Sequence, residues 1–368
     1  MLNYSVEKYR LLLKNPFRIA HGVSEYRYTI IVTLKYEDFS GYGEAPVVPY
    51  FGMDPDSLEK EMEEFLRKES DKLARLFSKG TYDAGWDEDR LSELSPFSRS
   101  AITMAILDIL AKEKALSFDA FMELESDTVG IETSYTVAST RKDEIFSGIE
   151  QSPSRIVKLK LGFENDISLL ETLLDRWRNR IFRLDVNQGW TASDAHKNVS
   201  LLNEILKRFA GQYPVLQLLE EPVEKNWELI GEISRESDIP VFLDESVQRI
   251  DDLNALTEKN ESGNCKVSGI VLKLAKNGGI LETLKMIRKA RKFGLKTMMG
   301  CYIESSLGVT VAAFLASQCD YADLDAPLLT ANDPFSGLRY ERGGRESVTL
   351  TLQLPGGYGY GVRRKVSI

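Results

Sequence analysis

The sequence contains few of the side chains that hold zinc or form structural disulfides. Its 368 residues include two histidines and three cysteines, and Cys265, Cys301 and Cys319 are widely spaced without a Cys-x-x-Cys pair. Such a set offers no zinc cluster and is typical of a reducing compartment. We therefore expect a cytoplasmic protein that uses neither zinc nor disulfide bonds.

Long apolar runs and an excess of positive charge are also missing. No run of about 18 apolar residues occurs, so we expect no membrane-spanning helix, and the first residues lack the apolar core of a signal peptide. The net charge of −9 disfavours a nucleic-acid partner, because phosphate recognition requires a basic surface. The composition is typical of a globular protein acting on a small molecule, and it leaves open a homo-oligomer.

From about residue 126 onward, short apolar runs alternate with segments of helical periodicity. The runs are centred near Tyr135, Lys158, Leu184, Leu218, Phe242, Val271, Met298 and Ala322. The helices predicted between them include Asp166–Arg180, Ser193–Phe209, Ile280–Phe293 and Ser305–Ser317. Eight strands with about one helix between each predict an α/β fold of the (β/α)8 type, a TIM barrel, over residues 126–330.

The two ends of the chain follow a different pattern. Residues 1–125 begin with strand-like segments and continue with helices predicted at residues 54–79 and 95–115, which indicates an α+β domain. Residues 331–368 contain a strand-like piece, Val348–Leu354. We expect this tail to return to the first domain, so that both segments together cap the barrel.

Five of the eight runs carry a charged residue at or near their end, namely Lys160, Asp185, Glu220, Asp244 and Lys273. A charge that closes an apolar strand is costly unless it has a partner or a task. Active sites in such barrels lie at the C-terminal ends of the strands. The five positions therefore predict one shared site.

The three acids predict a metal site. Asp185, Glu220 and Asp244 end strands three, four and five, which are neighbours. Oxygen ligands without an accompanying histidine or cysteine suit Mg²⁺ and not zinc. Isolated helix caps or salt-bridge partners are the alternative, which fits a single acid better than three on adjacent strand ends. Glu221 faces opposite to Glu220 because side chains alternate along a strand, and the spacing favours Glu220.

Lysines lie on both sides of this predicted metal site. Lys158 and Lys160 share one face of strand two, and Lys273 lies on strand six, across the barrel. A lysine is a poor base at its usual pKa of about 10.4, but burial, Mg²⁺ and a second ammonium all lower that pKa. We predict that Lys160 and Lys273 remove a proton α to a metal-held carboxylate and return one to the other face. A salt-bridge role is the simpler interpretation for Lys158 and Lys276.

At these residues the chain resembles the enolase superfamily, muconate-lactonising-enzyme subgroup, a superfamily whose sites combine a lysine or histidine base with Mg²⁺. The motifs that carry the resemblance are Lys158-Leu-Lys160, Asp185-Val-Asn-Gln-Gly-Trp190, Glu220-Glu-Pro222, Asp244-Glu-Ser246 and Lys273-Leu-Ala-Lys-Asn-Gly-Gly279. The resemblance spans nearly the whole chain and implies an enolase-like barrel with an α+β capping domain. One departure is Glu221, where the subgroup more often has Gln.

Gly300–Gly308 and Asp323-Leu-Asp325 are similar to the corresponding stretches of dipeptide epimerases in that subgroup. The resemblance implies that Asp323 and Asp325 bind the substrate α-ammonium, and two carboxylates are suited to an amine. An ordinary polar strand end is the alternative. Further substrate contacts implied by the resemblance are Lys158, Thr136 and the backbone at Cys301.

The expected activity is therefore a Mg²⁺-dependent 1,1-proton transfer at the α carbon of the C-terminal residue of an L-Ala-D/L-Xaa dipeptide. Whether Xaa is Glu or a hydrophobic residue stays open, because the capping loops are expected to bind its side chain. The candidate loop residues are Arg18, His21, Arg27, Tyr50 and Phe51.

Two other functions compete with this one. The first is another activity of the subgroup, such as a muconate cycloisomerase, an o-succinylbenzoate synthase or an N-acylamino-acid racemase. Asp323 and Asp325 argue against these enzymes, since their substrates carry no free amine. The second is a non-catalytic barrel that serves as a binding protein, which the full set of acid and lysine positions disfavours.

Overall fold

The computed structural model describes residues 2–80, 90–124, 130–163, 166–209, 216–343 and 349–365. The chain begins with a three-stranded antiparallel sheet, followed by two long helices and a short one. These elements are β1 (Asn3–Ile19), β2 (Gly22–Tyr36), β3 (Phe39–Pro46), a 3-10 turn at Pro49–Phe51, α1 (Pro55–Lys79), α2 (Pro96–Glu113) and α3 (Phe118–Phe121). The two long helices confirm the predicted ones to within two residues at each end.

Local sequence explains where the two long helices begin. The Asp54 side chain accepts a hydrogen bond from the Ser57 N–H, and the Ser95 side chain accepts one from the Ser98 N–H. Each capping residue is followed by proline, whose fixed φ suits the first turn of a helix. The apolar faces of both helices pack with the sheet into one buried cluster.

Helix α2 lies unusually close to strand β3 because two glycines face it. A Cβ atom added at Gly43 would lie 1.8 Å from the Ala101 carbonyl oxygen, and one added at Gly41 would lie 2.1 Å from that of Ala105. Real Cβ atoms do not approach backbone this closely, so a side chain at either position would push the helix off the sheet.

Replacing Gly43 with alanine should therefore destabilise the fold. We expect the Gly43→Ala free energy of unfolding to fall by about 3 kcal/mol, at the upper end for overpacked sites. Urea unfolding with circular dichroism measures this. Gly356→Ala is the matched control, because an added Cβ there meets nothing within 4 Å, and it should change stability by less than about 0.5 kcal/mol. Equal stability of both variants would contradict the close helix–sheet approach.

The central part of the chain forms a barrel of eight parallel strands in the described residues. A two-residue strand, β4 (Ile131–Glu132), precedes it. The barrel strands are β5 (Tyr135–Val137), β6 (Ile156–Lys160), β7 (Ile181–Asp185), β8 (Leu216–Glu220), β9 (Val241–Leu243), β10 (Gly269–Leu272), β11 (Lys296–Gly300) and β12 (Tyr321–Asp323). Neighbouring strands pair in chain order, and a bridge between Thr133 and Ala322 joins the last strand to the segment before the first. The predicted TIM-barrel fold and all eight strand positions are confirmed.

Helices follow the barrel strands along the chain. They are α4 (Lys142–Gln151), α5 (Asp166–Arg176), α6 (Ala192–Arg208), α7 (Trp227–Glu236), α8 (Ile250–Glu261), α9 (Leu274–Asn277), α10 (Ile280–Lys292), α11 (Ser306–Ala316) and α12 (Ala326–Leu329). The predicted end of α5 at Arg180 is wrong by four residues, since the chain already enters β7 at Ile181. None of the described helices combines the length and the apolar character that a membrane crossing requires.

The tail contacts both the barrel segment and the first domain. Its strands are β13 (Phe335–Ser336), β14 (Arg339–Arg342), β15 (Leu350–Gln353) and β16 (Arg363–Arg364). Strand β15 corresponds to the predicted strand at 348–354, of which Val348 lies outside the described residues, and it pairs with β4. The Tyr360 hydroxyl donates a hydrogen bond to the Met104 carbonyl of α2 at 2.9 Å. Arg364 pairs with Glu7 of β1 at 2.5 Å.

Alternation along the barrel strands explains how charged groups come to lie inside a protein core. Leu218, Phe242, Val271 and Met298 form an apolar cluster in the barrel interior. The residues two positions further along these strands point to the same side. Those positions include Glu220, Asp244 and Lys273, so a polar layer lies above an apolar one at the C-terminal ends of the strands.

Candidate functional site

A pocket opens at the C-terminal ends of the barrel strands, beneath the first domain. Its walls combine barrel residues with residues of β1, β2 and the segment after β3. Seven of the predicted site residues line it: Thr136, Lys158, Lys160, Lys273, Cys301, Asp323 and Asp325. The other three, Asp185, Glu220 and Asp244, are at most 1 % exposed, and each contacts lysines of the pocket wall.

Parallel pairing aligns the predicted metal ligands. Lys160, Asp185 and Glu220 are direct partners across β6, β7 and β8. Strand β9 ends at Leu243, so Asp244 lies one residue past its strand, and Lys273 likewise lies one residue past β10. The prediction placed both residues on the strands themselves, and the difference arises because the strand hydrogen bonding stops before the chain turns into its loop.

The two lysines predicted as the acid–base pair each contact one of these acids. Lys160 Nζ lies 2.5 Å from Asp185 Oδ2 and 3.0 Å from Asn187 Oδ1. Lys273 Nζ lies 2.5 Å from Asp244 Oδ2 and 4.4 Å from the centre of the Tyr302 ring. The two lysines thus contact the acids from the end of β6 and from the position just past β10, the second and sixth strands of the barrel.

Lys158 has a more central position than a simple salt-bridge partner. Its Nζ lies 2.9 Å from Asp185, 3.0 Å from Glu220 Oε1 and 2.7 Å from Asp323. Burial lowers the pKa of Lys158, but the acids around it outweigh burial and raise that pKa well above its usual range. One ammonium therefore joins the predicted metal ligands to the predicted ammonium-binding acids.

The lysines determine which acids are ionised. Burial raises the pKa of Asp185, but Lys158 and Lys160 more than offset burial and hold that pKa well below its usual range. Asp244 behaves in the same way, with Lys273 and Lys276 as its cations. Burial, and after it the Asp185 charge, raises the pKa of Glu220 to about 8.

The expected lowering of the lysine pKa is not what the described contacts produce at Lys273. Burial does lower the pKa of Lys273, as expected, but the Asp244 carboxylate outweighs it, so the pKa is raised well above its usual range. The prediction considered the ammonium–ammonium and metal effects on the lysine but left out its ion pair with a neighbouring ligand.

The donor set fits a hard divalent cation. In the described residues no three Asp, Glu, His or Cys side chains are already arranged around a single point, because ammonium groups lie against the acid oxygens. Glu220 Oε2 is nevertheless buried without a hydrogen bond among these residues, although Lys158 Nζ lies 2.9 Å away. Carboxylates on three successive strand ends supply the hard oxygen ligands that Mg²⁺ prefers.

Glu221 has a structural environment of its own. One oxygen accepts the Asp244 backbone N–H at 2.7 Å, and the other accepts the Ser246 hydroxyl. Burial raises the pKa of Glu221 to about 7. Its contacts join the segment after β8 to the segment after β9, which agrees with the choice of Glu220 as the predicted ligand.

The acids predicted to bind an ammonium lie side by side at the end of β12. Ser134 Oγ donates to Asp323 Oδ1 at 2.5 Å, and the Thr136 N–H donates to Asp325 Oδ2 at 2.6 Å. The prediction places Asp325 at the end of the strand, but it lies two residues beyond β12, at the start of α12. Burial, and then the Asp323 charge, raises the pKa of Asp325 to about 7. The Cys301 thiol donates to the Asp323 carbonyl.

The first domain closes the pocket on the side away from the acids. Phe17, Ile19, Arg27, Val47, Val48 and Tyr50 line this wall. Among the described residues no carboxylate pairs with Arg27, whose Nη1 bonds to Ser24 and to the Tyr26 carbonyl. His21 stacks on Tyr50 with ring centres 4.9 Å apart, outside the pocket lining. Of Arg18, His21 and Arg27, only Arg27 lines the pocket.

Sequence reasoning missed two residues that contact the lysines. Asn187 joins Lys160 to Glu245 by hydrogen bonds of 3.0 and 3.1 Å, and the Tyr302 ring lies against Lys273. Asn187 has a φ of 46°, a left-handed conformation rare for residues other than glycine. Backbone strain of this kind collects at functional sites, but it leaves no mark in the sequence.

Comparison with known proteins finds matches to the barrel segment and to the whole chain. Residues 144–365 match the family model described as enolase C-terminal domain-like. An L-Ala-D/L-amino acid epimerase from Maribacter sp. is 30% identical to this chain over 339 residues, which cover 92% of this chain and 94% of that relative.

Solved structures share the whole architecture. The substrate-liganded complex of the L-Ala-D/L-Glu epimerase from Bacillus subtilis matches with a TM-score of 0.82 and 25% identity, covering 98% of both chains. A dipeptide epimerase from Cytophaga hutchinsonii, complexed with Mg and the dipeptide D-Ala-L-Val, matches with a TM-score of 0.83 and 24% identity, covering 98% of this chain and 95% of that one. The fold likeness extends over the first domain as well as the barrel.

Proposed function

This chain belongs to the enolase C-terminal domain-like family, and from that premise we propose that it is a Mg²⁺-dependent dipeptide epimerase. The proposed reaction is a 1,1-proton transfer at the α carbon of the C-terminal residue of an L-Ala-D/L-Xaa dipeptide. The observation that carries the proposal is one pocket lined by Lys160 and Lys273, with Asp323 and Asp325 in its wall.

The two lysines supply the acid and the base. In one direction, a lysine in its neutral form takes the α proton, and the electrons of the C–H bond move into the adjacent carboxylate group. A metal held by Asp244 would compete with the ion pair that raises the pKa of Lys273 and would thereby favour the neutral form of this lysine. The opposite lysine, as an ammonium, donates a proton to the other face of the α carbon. Lys160 and Lys273 exchange these roles when the opposite epimer reacts, so one pair serves both directions.

Asp185, Glu220 and Asp244 would hold the metal. Bound there, Mg²⁺ supplies positive charge that offsets the negative charge growing on the substrate carboxylate. The alignment of Asp185 with Glu220 across β7 and β8, with Asp244 just past the next strand, supports this assignment. The ionised state of Asp185 and Asp244, maintained by lysines, keeps two of the three ligands ready to bind a cation.

The acid pair at the end of β12 selects a substrate with a free amine. Asp323 is held ionised by its cationic neighbours, so an α-ammonium meets at least one full negative charge there. N-acylamino acids and muconates carry no such group, which is why other activities of the subgroup fit this pocket less well. A binding protein without catalysis would have no need of lysines in contact with both Asp185 and Asp244.

A screen in D₂O tests the proposal. The purified protein is incubated with Mg²⁺ and pooled L-Ala-L-Xaa dipeptides, and mass spectrometry reads the gain of one mass unit. We expect gains confined to certain Xaa, and their loss when EDTA removes the metal. A folded, metal-loaded protein that labels no dipeptide but labels N-acylamino acids would replace the proposal with the racemase activity.

Arg27 provides a sharper prediction about Xaa. Its guanidinium is partly buried in an otherwise apolar wall, and an acidic side chain would supply the carboxylate partner that the described chain does not. We expect Arg27→Met to lower kcat/KM for L-Ala-L-Glu by about 10-fold or more, the usual size for a charged hydrogen bond. For dipeptides with an apolar Xaa, kcat/KM should change by less than 3-fold in Arg27→Met. The matched control Arg18→Met should change kcat/KM by less than 3-fold for both substrate classes. An equal loss for both substrate classes would show that Arg27 does not bind the Xaa side chain.

We also propose a cytoplasmic location. The three cysteines are free thiols in the structure, and a reducing compartment keeps such thiols unpaired.

A further inference from the structure

One buried arginine in the barrel is held by neutral partners. Arg183, on β7, is 1 % exposed, and its described contacts are hydrogen bonds to three neutral groups and the Tyr321 ring, whose centre lies 5.4 Å from the guanidinium carbon. Burying an unpaired cation is among the most costly arrangements in a protein. Since Arg183 lies two residues before Asp185, it occupies the layer directly below the proposed metal site.

The hydrogen bonds of Arg183 lead to the ammonium-binding acids. Its Nη1 donates to the Ala322 carbonyl at 2.6 Å and to Ser134 Oγ at 3.1 Å, and its Nε donates to Gln217 at 2.7 Å. Ser134 Oγ in turn donates to Asp323 Oδ1 at 2.5 Å. Arginine and serine therefore form a chain of donors that ends on one oxygen of Asp323.

The direction of this chain is fixed by chemistry. A guanidinium can only donate hydrogen bonds, whereas a hydroxyl has one hydrogen and can also accept. Because Arg183 occupies a lone pair of Ser134 Oγ, the single hydroxyl hydrogen is left for Asp323. The other Asp323 oxygen, Oδ2, accepts from Lys158, so both oxygens of this acid are oriented from below.

We propose that Arg183 and Ser134 are positioning residues that hold the Asp323 carboxylate in the orientation that receives the substrate α-ammonium. Neither residue lines the pocket, so both act through Asp323. Arg183 also fixes the Ala322 carbonyl, the peptide unit immediately before Asp323. The inference rests on the proposed dipeptide activity, in which Asp323 meets an amine.

The test uses a pair of compounds that differ by the amine alone. One is the preferred L-Ala-L-Xaa dipeptide, and the other is the corresponding propionyl-L-Xaa, used as a competitive inhibitor. We expect Ser134→Ala to raise the KM of the dipeptide about 10- to 100-fold, as for a lost hydrogen bond to a charged group, with kcat changed by less than 3-fold. The Ki of the propionyl compound should change by less than 2-fold, because it has no amine to place.

Ser134→Thr is the matched rescue variant, since it keeps the hydroxyl, and its KM should return to within about 3-fold of the wild-type value. Arg183→Gln should raise the dipeptide KM in the same way. The double variant with Ser134→Ala should be no worse than the poorer single variant, because both residues act through one contact. If Arg183→Gln does not fold, the two Ser134 variants decide alone.

The outcomes separate this inference from the proposed function. If the wild-type protein neither binds nor turns over any dipeptide, the proposed function and the positioning role are both overturned. A wild-type epimerase whose Ser134→Ala variant raises the dipeptide KM and the propionyl Ki equally overturns the positioning role only, because a general distortion of the pocket would have that effect. An unchanged dipeptide KM in Ser134→Ala overturns it as well.

Discussion

Lys160→Ala should lose epimerisation by about 1,000-fold while one epimer of the dipeptide still exchanges its α proton with solvent. A positioned acid or base contributes about 100- to 10,000-fold, and inversion requires one lysine on each face. With Lys273 alone, a proton can leave and return on a single face. The variant should therefore label one epimer in D₂O and convert neither. Lys273→Ala should show the opposite preference.

Chiral chromatography and mass spectrometry of each epimer, followed separately, measure inversion and labelling in the same sample. Lys292→Ala, at an exposed position of α10, is the control and should behave as the wild type. Mg²⁺ binding, measured by calorimetry, should be retained in all three variants. If either active-site variant inverts dipeptides at the wild-type rate, the two-lysine mechanism is wrong.

Replacing Asp323 with asparagine should lower kcat/KM for dipeptides by about 100-fold or more. The substitution removes one buried charge from the proposed ammonium site, and breaking a buried ion pair costs about 3–5 kcal/mol. It also takes a carboxylate from Lys158, whose Nζ lies 2.7 Å from it. The loss should appear mainly in KM, because the acid binds the amine and does not touch the reacting carbon.

The propionyl compound again isolates the amine. Its Ki should change by less than about 3-fold in Asp323→Asn, and the Mg²⁺ affinity should stay close to the wild-type value. Asp320→Asn, at the exposed start of the same strand segment, provides a control of equal chemistry. Dipeptide turnover that is unaffected by Asp323→Asn would exclude Asp323 as the group that binds the substrate amine.

The barrel could be predicted because its information is local. Each barrel strand is a short apolar run, so counting the runs predicts Asp185, Glu220 and Asp244 at neighbouring strand ends, and the structure places them there. Their role as metal ligands stays a prediction. The short strand β9 shows the limit of that method, since Asp244 lies just beyond the last paired residue. The period and length of an apolar run predict which layer of the barrel a residue occupies, but not the residue at which the strand hydrogen bonds end.

The contacts between the layers could not be predicted in this way. The predicted salt-bridge role of Lys158 agrees with its contacts, but a sequence does not show that one ammonium reaches acids on β7, β8 and β12 together. The cation at Arg27 was one of three candidates, and the register of the β1–β2 turn decides among them. Both cases depend on distances between residues far apart in the sequence, which residue type and spacing do not predict.

The pocket wall that carries Arg27 and Tyr50 belongs to the first domain, whereas the lysines and acids belong to the barrel. Substitutions in β1, β2 or the turn after β3 can alter which side chain is accepted without moving any group that handles the proton. In evolutionary terms, selectivity and reactivity are separately mutable in this architecture. On the proposed function, substitutions in the first fifty residues are therefore expected to change the accepted peptide while the strand ends of the barrel keep the reaction the same.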